Sequence, residues 1–246
     1  MPQSPLIIAH RGSSQAAPEN TLAAFRAAID AGADGIELDV QLSKDGHVVV
    51  IHDEKLDRTT NGSGFVKDHT LAELSQLDAG GKFSPHFAGE PLPTLASVFE
   101  LIRERSWKGL INVELKTSRF PYPGIERAVV DLIDAYGLRE QALLSSFNHN
   151  SLAEVARIAP GVKTAILFSI VLYKPWEYAK GIGCSALHPS LQPGIEELIA
   201  GARAAGLSVN VWTINSVEQA QELAKAGATG IITDVPDVLL RHFGRG

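Results

Sequence analysis

Short apolar runs that alternate with alanine-rich segments limit this chain to very few folds. The runs lie at residues 6–10, 35–40, 47–52, 110–116, 142–147, 163–168, 185–188, 208–213 and 230–234. Most of them are followed by a segment in which apolar residues recur at helical spacing. This alternation is typical of βα units that surround a parallel sheet.

The third run differs from the others because only residues 41–46 separate it from the second run. Lys44, Asp45 and Gly46 form a turn signal there, and a parallel crossover needs about a dozen residues or more. We therefore expect the third run to fold back antiparallel. The eight remaining runs are the number that closes a (β/α)8 barrel of about 250 residues. We predict an α/β fold, a TIM barrel, that forms one domain over residues 1–246.

Residues 53–93 interrupt the alternation with a glycine- and proline-rich segment. Its one convincing helical turn covers residues 70–73, where Thr70 and Glu73 have the spacing of a capping box. Connections of this length inside a compact domain are usually functional. We predict a small insertion after the strand hairpin, placed as a cap over one end of the barrel.

The helical pattern also predicts how the barrel closes. It indicates helices at residues 21–31, 94–105, 125–136, 151–158, 195–205 and 217–226, and it assigns no clear element to residues 171–183. Residues 31–39 and 226–234 match at six of nine positions. Each segment contains a glycine, Gly32 or Gly227, at the position directly after a predicted helix, where a left-handed backbone conformation is common. We expect these two corners to bring the first strands against the last.

The charge balance excludes one class of partner. Twenty-two basic residues against twenty-eight acidic ones give a net charge of −6, which argues against a protein that binds nucleic acid through its phosphate backbone. An anionic substrate therefore needs a local positive site.

The same sequence carries no sign of export. Cys184 is the single cysteine and cannot form an internal disulfide. Residues 1–10 lack the pattern of a signal peptide. The longest apolar run, residues 165–173, is far shorter than the roughly 20 residues that cross a bilayer. We expect a cytoplasmic protein without stable membrane insertion.

Polar residues at the ends of the predicted strands indicate where the chemistry lies. Active sites of such barrels form at the carboxyl ends of the strands. Polar or aromatic residues at these ends are His10, Arg11, Glu37, Asp39, Glu114, Lys116, His188, Trp212 and Asp234. Residues two apart on a strand share a face, so two strands present three carboxylates, Glu37, Asp39 and Glu114, to one site.

The hairpin adds a histidine to this cluster. If Asp45 and Gly46 form a two-residue loop, Asp39 lies opposite His52 in the antiparallel pair. Directly opposed side chains have Cβ atoms about 4.5 to 5.5 Å apart. We therefore expect His52 beside the carboxylates.

These residue types suit metal-assisted cleavage of a phosphodiester. Three carboxylates without a neighbouring cysteine are ligands for Mg²⁺ or Ca²⁺; the alternative is a set of ion pairs with Lys116 and Arg11. Those two cations can instead bind phosphate oxygens. One histidine can accept a proton from the attacking hydroxyl while the other donates one to the leaving alcohol. Taken singly, His10 and His52 also fit ordinary hydrogen-bonded histidines.

The same motifs, taken in order, resemble one enzyme family. The motifs are HRG at 10–12, PENT at 18–21, ELD at 37–39, HD at 52–53, ELK at 114–116, SSF at 145–147, LHP at 187–189, VWT at 211–213 and TD at 233–234. This series resembles the glycerophosphodiester phosphodiesterase family, in its compact cytoplasmic bacterial form, over nearly the whole chain. The resemblance implies a TIM barrel that uses a divalent cation to hydrolyse glycerophosphodiesters to sn-glycerol 3-phosphate and an alcohol.

The resemblance also implies roles for individual residues. His10 and His52 match the acid/base pair of the family, and Glu37, Asp39 and Glu114 match its metal ligands. Arg11 and Lys116 match its basic residues on the phosphate side. The family mechanism implies that the glycerol 2-hydroxyl attacks phosphorus and that water then opens a cyclic phosphate.

Two further residues are predicted to contact substrate. Trp212 is expected to wall the pocket, with barrel packing as its alternative. His188 is expected to line the pocket or to brace it.

Two other activities are compatible with this residue set. Lysophospholipase D or sphingomyelinase D type enzymes share the barrel, the paired histidines and the metal. They need an apolar groove or a membrane-facing surface for a lipid chain, and the sequence shows neither an exposed amphipathic helix nor a basic face. A noncatalytic module that binds a phosphorylated ligand would not need both histidines and all three acids. The alcohol of the substrate and the oligomeric state stay open.

Overall fold

The computed structural model describes residues 4–245 and contains the predicted closed barrel. Its strands are β1 Leu6–Ala9, β2 Gly35–Leu42, β3 Val48–Val50, β4 Leu110–Leu115, β5 Ala142–Ser146, β6 Lys163–Phe168, β7 Ala186–Pro189, β8 Ser208–Val211 and β9 Gly230–Thr233. Eight parallel strands follow the order β1-β9-β8-β7-β6-β5-β4-β2, and a β1–β2 pairing closes the ring. β3 pairs with β2 antiparallel. Residues 1–3 and 246 of the predicted domain lie outside the described residues.

Helices cover the outside of this ring, and one short helix lies within residues 53–93 instead. They are α1 Leu22–Asp30, α2 Leu71–Leu74, α3 Leu95–Glu104, α4 Ile125–Tyr136, α5 His149–Ile158, α6 Pro175–Gly181, α7 Ile195–Ala204, α8 Val217–Ala226 and α9 Pro236–His242. The six predicted helices of the barrel are confirmed, whereas α6 and α9 were not predicted. Gly32 and Gly227 have φ of +83° and +87°, as predicted for residues that end a helix. No helix within residues 4–245 combines the length and the apolar character that a bilayer span requires.

The predicted register of the hairpin is wrong by one residue. Val40 pairs with Val50, and the amide of Ile51 donates to the carbonyl of Asp39 at 3.0 Å, so Asp39 lies opposite Ile51 rather than His52. The cause is a three-residue loop in which Gly46 has φ +83°. A turn followed by a left-handed glycine is the common three-residue hairpin connection.

His52 nevertheless turns toward the barrel because the chain leaves the strand after Val50. The amide of Gln41 holds this departing segment. Its Nε2 donates to the carbonyl oxygens of Ile51, His52 and Asp53 at 3.1, 3.1 and 2.8 Å. A buried side chain of β2 thus fixes the backbone on both sides of His52.

The segment from residue 53 to residue 93, which we call the insertion, packs against β3. Val49 and Ile51 are buried with apolar side chains of the insertion, namely Leu56, Val66, Leu74, Ala79 and Leu92. Val48 and Val50 belong instead to the cluster that contains α3 and α4. The capping box at Thr70 and Glu73 is confirmed and begins α2. β3 is therefore buried on both faces.

Candidate active site

Three buried carboxylates converge at the carboxyl ends of β2 and β4. Glu37 and Asp39 point the same way from β2, and Glu114 lies beside Asp39 in the parallel pairing of the two strands. One oxygen from each of the three lies within 4.8 Å of the other two. All three side chains are buried. The structure thus brings the three predicted metal ligands together.

Two cations lie against this cluster and stabilise one of its acids. The Nζ of Lys116 lies 2.8 Å from Glu114 Oε1 and 3.6 Å from Asp39 Oδ1. The Nε of Arg11 lies 3.4 Å from Asp39 Oδ2. Burial opposes ionisation of Asp39, but Lys116 and Arg11 outweigh it and lower its pKa to about 2. Asp39 is therefore ionised at neutral pH.

The other two acids are less well compensated. Burial, followed by the negative charge of Asp39, raises the pKa of Glu37 well above its ordinary value and raises that of Glu114 to about 7. Such repulsion is relieved when a cation binds between the carboxylates. Three carboxylates also form the all-oxygen donor set that Mg²⁺ and Ca²⁺ prefer. The residues present therefore fit a hard divalent cation.

The loop after β1 places Arg11 by an unusual backbone conformation. Arg11 and Gly12 both have positive φ, +55° and +81°. This turn lets the amide of Arg11 donate to Glu37 Oε2 at 3.0 Å. A Cβ on Gly12 would lie 2.6 Å from the carbonyl carbon of Ala24 in α1, so the close approach of loop and helix requires glycine here.

Asn20 orients Asp39 through two hydrogen bonds. Its Nδ2 donates to Asp39 Oδ2 at 2.8 Å, and its Oδ1 accepts from the Asp39 amide at 3.2 Å. The cap of α1 is the neighbouring Thr21, whose side chain accepts from the amide of Ala24. Asn20 is thus free to contact the acidic cluster from a left-handed conformation with φ +57°.

His10 is paired with a carboxylate from the last strand end. Its Nδ1 lies 2.7 Å from Asp234 Oδ1, and its Nε2 lies 4.0 Å from Glu37 Oε2. Asp234 also accepts hydrogen bonds from Ser14 at 3.0 Å and Asn215 at 2.7 Å. Burial raises the pKa of Asp234, but the hydrogen bonds from His10 and Asn215 prevail and lower it to about 2. An ionised partner at Nδ1 leaves Nε2 of His10 to face the cleft.

His52 is paired in the same way, and the insertion supports the pair. Its Nδ1 lies 2.7 Å from Asp53 Oδ1. Arg58 donates to both oxygens of Asp53, at 2.7 and 3.0 Å, and to both oxygens of Glu19, at 2.7 and 2.8 Å. Glu19 in turn accepts from Arg11 at 2.9 Å. Sequence reasoning missed Arg58 because it lies in the insertion, where no periodic pattern indicates its contacts.

A single cleft joins these groups. Its lining comprises His10, Arg11, Glu37, His52, Asn112, Glu114, Lys116, Ser145, Phe147, Leu167, Trp212 and Ile232. Trp212 lies in the wall of this cleft, and its ring meets Phe147 edge to face with centroids 5.7 Å apart. The cleft is therefore charged on the side of β1, β2 and β4 and apolar on the side of Phe147, Leu167 and Trp212.

The structure does not bring His188 to the cleft. The side chain is fully buried, and its Nε2 lies 2.9 Å from the Nδ2 of Asn210 inside the barrel. Because a side chain in this place is closed off from substrate, the predicted contact of His188 with substrate is wrong, whereas the predicted alternative, that it braces the pocket, is compatible with this position. Its backbone carbonyl accepts from Trp212 Nε1 at 2.7 Å, so this residue supports the wall of the cleft instead.

Comparisons with known proteins agree on one family. Residues 10–238 match the sequence model of the glycerophosphoryl diester phosphodiesterase family. A glycerophosphodiester phosphodiesterase of Caldanaerobacter subterraneus is 49% identical, and the match covers 98% of both chains.

Solved structures show the same fold. A phosphodiesterase of Oleispira antarctica in complex with its product sn-glycerol 3-phosphate superposes with a TM-score of 0.89, at 32% identity, over 98% of this chain and 97% of that one. A glycerophosphodiester phosphodiesterase of Agrobacterium tumefaciens gives a TM-score of 0.82 at 32% identity, over 96% of this chain and 99% of that one.

Proposed function

Because the chain belongs to the glycerophosphoryl diester phosphodiesterase family, we propose that it hydrolyses glycerophosphodiesters to sn-glycerol 3-phosphate and an alcohol. One observation carries the proposal: two histidines, each hydrogen-bonded through Nδ1 to a carboxylate, line the same cleft as the acidic cluster. Such pairing leaves Nε2 of each ring as the atom that exchanges a proton with substrate. Cleavage of a phosphodiester needs one proton acceptor and one proton donor.

The surroundings of the two rings support different roles. Burial lowers the pKa of His52, and the cations Lys116 and Arg11 lower it further against the opposing charge of Asp39. At neutral pH this ring is therefore mainly neutral and can accept the proton of the attacking hydroxyl. His10, whose Nδ1 contacts Asp234, is then the donor to the leaving alcohol.

The phosphate is proposed to lie in the cleft, beside the acidic cluster and the two cations that contact it. Arg11 and Lys116 line the cleft, and guanidinium and ammonium groups bind phosphate oxygens well. Glu37, Asp39 and Glu114 would hold a Mg²⁺ or Ca²⁺ ion. When bound, such an ion supplies positive charge for the phosphoryl oxygens.

The attacking group is proposed to be the 2-hydroxyl of the substrate glycerol. It would form a cyclic phosphate and expel the alcohol, and water would then open the ring. A substrate whose 2-hydroxyl is methylated tests this step. It should bind without being cleaved, and normal release of its alcohol would contradict the internal attack.

The whole proposal is tested with the purified protein and a panel of glycerophosphodiesters. We expect release of sn-glycerol 3-phosphate with Mg²⁺ or Ca²⁺ and its loss with a chelator. His10→Ala and His52→Ala should each lower kcat by at least about 100-fold while the circular dichroism spectrum is retained. His47→Ala is the matched control, because His47 is exposed in the hairpin turn. Absence of product for every diester with either cation would reject the proposal.

A further inference from the structure

The floor of the cleft carries two neutral oxygen atoms that the proposed reaction does not use. Asn112 and Ser145 both line the cleft, and they are only 1% and 0% exposed. Within residues 4–245, neither Oδ1 of Asn112 nor Oγ of Ser145 has a hydrogen-bond partner. Because an unpaired polar atom is costly in a buried place, these two atoms indicate a ligand that reaches the floor.

The strand register places both side chains beside the acidic cluster. Asn112 pairs with Glu37 in the ladder of β2 and β4, and Ser145 pairs with Glu114 in the ladder of β4 and β5. Neighbouring strands are about 4.8 Å apart, and residues paired in this way share a face of the sheet. The two neutral oxygens therefore continue the row of carboxylates onto β5.

Both oxygens lie on the closed side of the acidic cluster. Asn112 precedes Glu114 by two residues and is thus about 6 to 7 Å deeper along the strand. The hydroxyl oxygen of Ser145 is attached directly to Cβ, whereas two more carbons separate Cβ of Glu114 from its carboxylate oxygens. Leu110 and Leu143, two residues deeper again, pack together and close the barrel beneath. Substrate enters from the opposite, open side, so the ligand at the floor must be small.

The chemistry of the two atoms indicates which small ligand this is. The amide oxygen of Asn112 only accepts hydrogen bonds, and the hydroxyl of Ser145 can accept one as well. Ionised carboxylate and phosphate oxygens have no proton to give to an acceptor. A water molecule bound to a divalent cation is a strong donor, because the cation makes its protons more acidic. Mg²⁺ usually keeps several of its waters when carboxylates bind it.

We propose that Asn112 Oδ1 and Ser145 Oγ accept hydrogen bonds from water ligands of the cation that Glu37, Asp39 and Glu114 hold. Both are positioning residues, because they fix the hydrated side of the cation on the floor and leave its other side to the phosphate. The inference rests on the cation of the proposed function. It extends the site from two strands to three and adds neutral residues to the carboxylates.

Calorimetric titration of the purified protein with Mg²⁺ tests this inference without substrate. Ser145→Ala removes one acceptor from a side chain of similar size, and we expect it to raise the Kd for Mg²⁺ at least about fivefold. Asn112→Leu replaces the amide by an apolar group of similar volume and should raise the Kd about 10- to 100-fold. Melting curves recorded without cation show whether each variant keeps its fold, and Ser145→Ala decides the test if Asn112→Leu does not.

Thr164→Val is the matched control for Ser145→Ala. Thr164 is 1% exposed, so this variant also removes a fully buried hydroxyl. Ser145 pairs with Ala165 in the ladder of β5 and β6, which places Thr164 on the opposite face of the sheet, away from the cleft. The Kd for Mg²⁺ should therefore stay unchanged in Thr164→Val.

The remaining outcomes overturn the inference and separate it from the proposed function. If the wild type binds Mg²⁺ and neither floor variant alters the Kd, the inference fails while the proposed function stands. An unchanged Kd with a raised KM for glycerophosphocholine would assign the two oxygens to a substrate hydroxyl instead. An equal rise of Kd in Thr164→Val and Ser145→Ala would assign the effect to barrel packing. If the wild type binds no Mg²⁺ and cleaves glycerophosphocholine in the presence of a chelator, the proposed cation fails together with the inference.

Discussion

Replacing Asp234 by asparagine tests how the structure prepares His10 for proton transfer. The carboxylate of Asp234 contacts Nδ1 of His10 at 2.7 Å, which fixes the proton on that nitrogen. Asparagine has nearly the same shape and can keep a contact with Ser14. It removes the negative charge and can present an N–H group to the ring, which would favour the wrong tautomer.

The size of the effect follows from the pKa of Asp234, which falls from 3.8 to about 2 in spite of burial. One pKa unit corresponds to 1.36 kcal/mol, so the shift represents about 2 kcal/mol of interaction with the ionised form. Only part of this interaction is with His10, because Asn215 and Ser14 contribute as well, so loss of this charge alone should lower kcat by about 10-fold. A reversed tautomer would lower it further, up to about 10⁴-fold, as in other histidine–carboxylate pairs.

The same shift predicts a pH dependence of stability. Because the pKa of Asp234 is depressed by folding, its contribution is complete above the unfolded value near 4 and is lost as the pH falls toward 2. The difference in free energy of unfolding between the wild type and Asp234→Asn should be about 1 to 2 kcal/mol at pH 6. It should shrink steadily as the pH falls below 4.

Steady-state kinetics and urea unfolding measure both effects. Asp237→Asn is the matched control, because Asp237 lies three residues further on and pairs with Arg241 at the surface. A variant Asp234→Asn whose kcat stays within threefold of the wild type would refute the proposed function of the pair. A difference in stability that grows as the pH falls below 4 would refute the linkage argument.

Three further predictions concern the support of the site. Arg58→Gln should lower kcat about 10- to 100-fold with little loss of Tm, because Asp53 loses its hydrogen bonds from Arg58. Steady-state kinetics and a melting curve test this, and a change in Tm without a change in kcat would contradict it. Saturating Mg²⁺ or Ca²⁺, at about 100 times Kd, should raise Tm by about 5 to 10 °C, and scanning fluorimetry should find this gain abolished in Glu114→Gln. Gly12→Ala should lower the free energy of unfolding by at least about 3 kcal/mol, against about 1 to 2 kcal/mol for Gly32→Ala; equal losses in urea unfolding would refute the clash, since Gly32 has similar φ and open space.

The barrel could be predicted because burial imposes a period on the sequence. Parallel strands covered on both faces appear as continuous apolar runs, and charged residues such as Glu37, Asp39 and Glu114 stand out where these runs reach the mouth. The alternation of faces along a strand then placed the three acids together. These features depend on local spacing, which the sequence displays directly.

Features that depend on backbone conformation in loops could not be predicted in the same way. The hairpin register changed by one residue because Gly46 extends the loop. The run predicted at residues 163–168 matches β6, whereas residues 171–183, to which the sequence assigned no clear element, contain α6. The contact of Arg58 with Asp53 and Glu19 joins segments of different loops, and no local pattern encodes it. His188 was misplaced because a strand end indicates a face of the barrel but not the depth of the side chain.

Burial of β3 on both faces has a consequence for how the protein responds to heat. The insertion cannot open without exposing Val49 of β3 and Ile51, the residue that directly precedes His52. Local opening costs less free energy than global unfolding, and amide hydrogen exchange should show the insertion opening before the barrel strands. Activity should then be lost at a temperature at which the far-ultraviolet spectrum is still native. We therefore expect this small satellite core to set the thermal limit of catalysis, and mutations that strengthen its packing should extend that limit without altering the barrel.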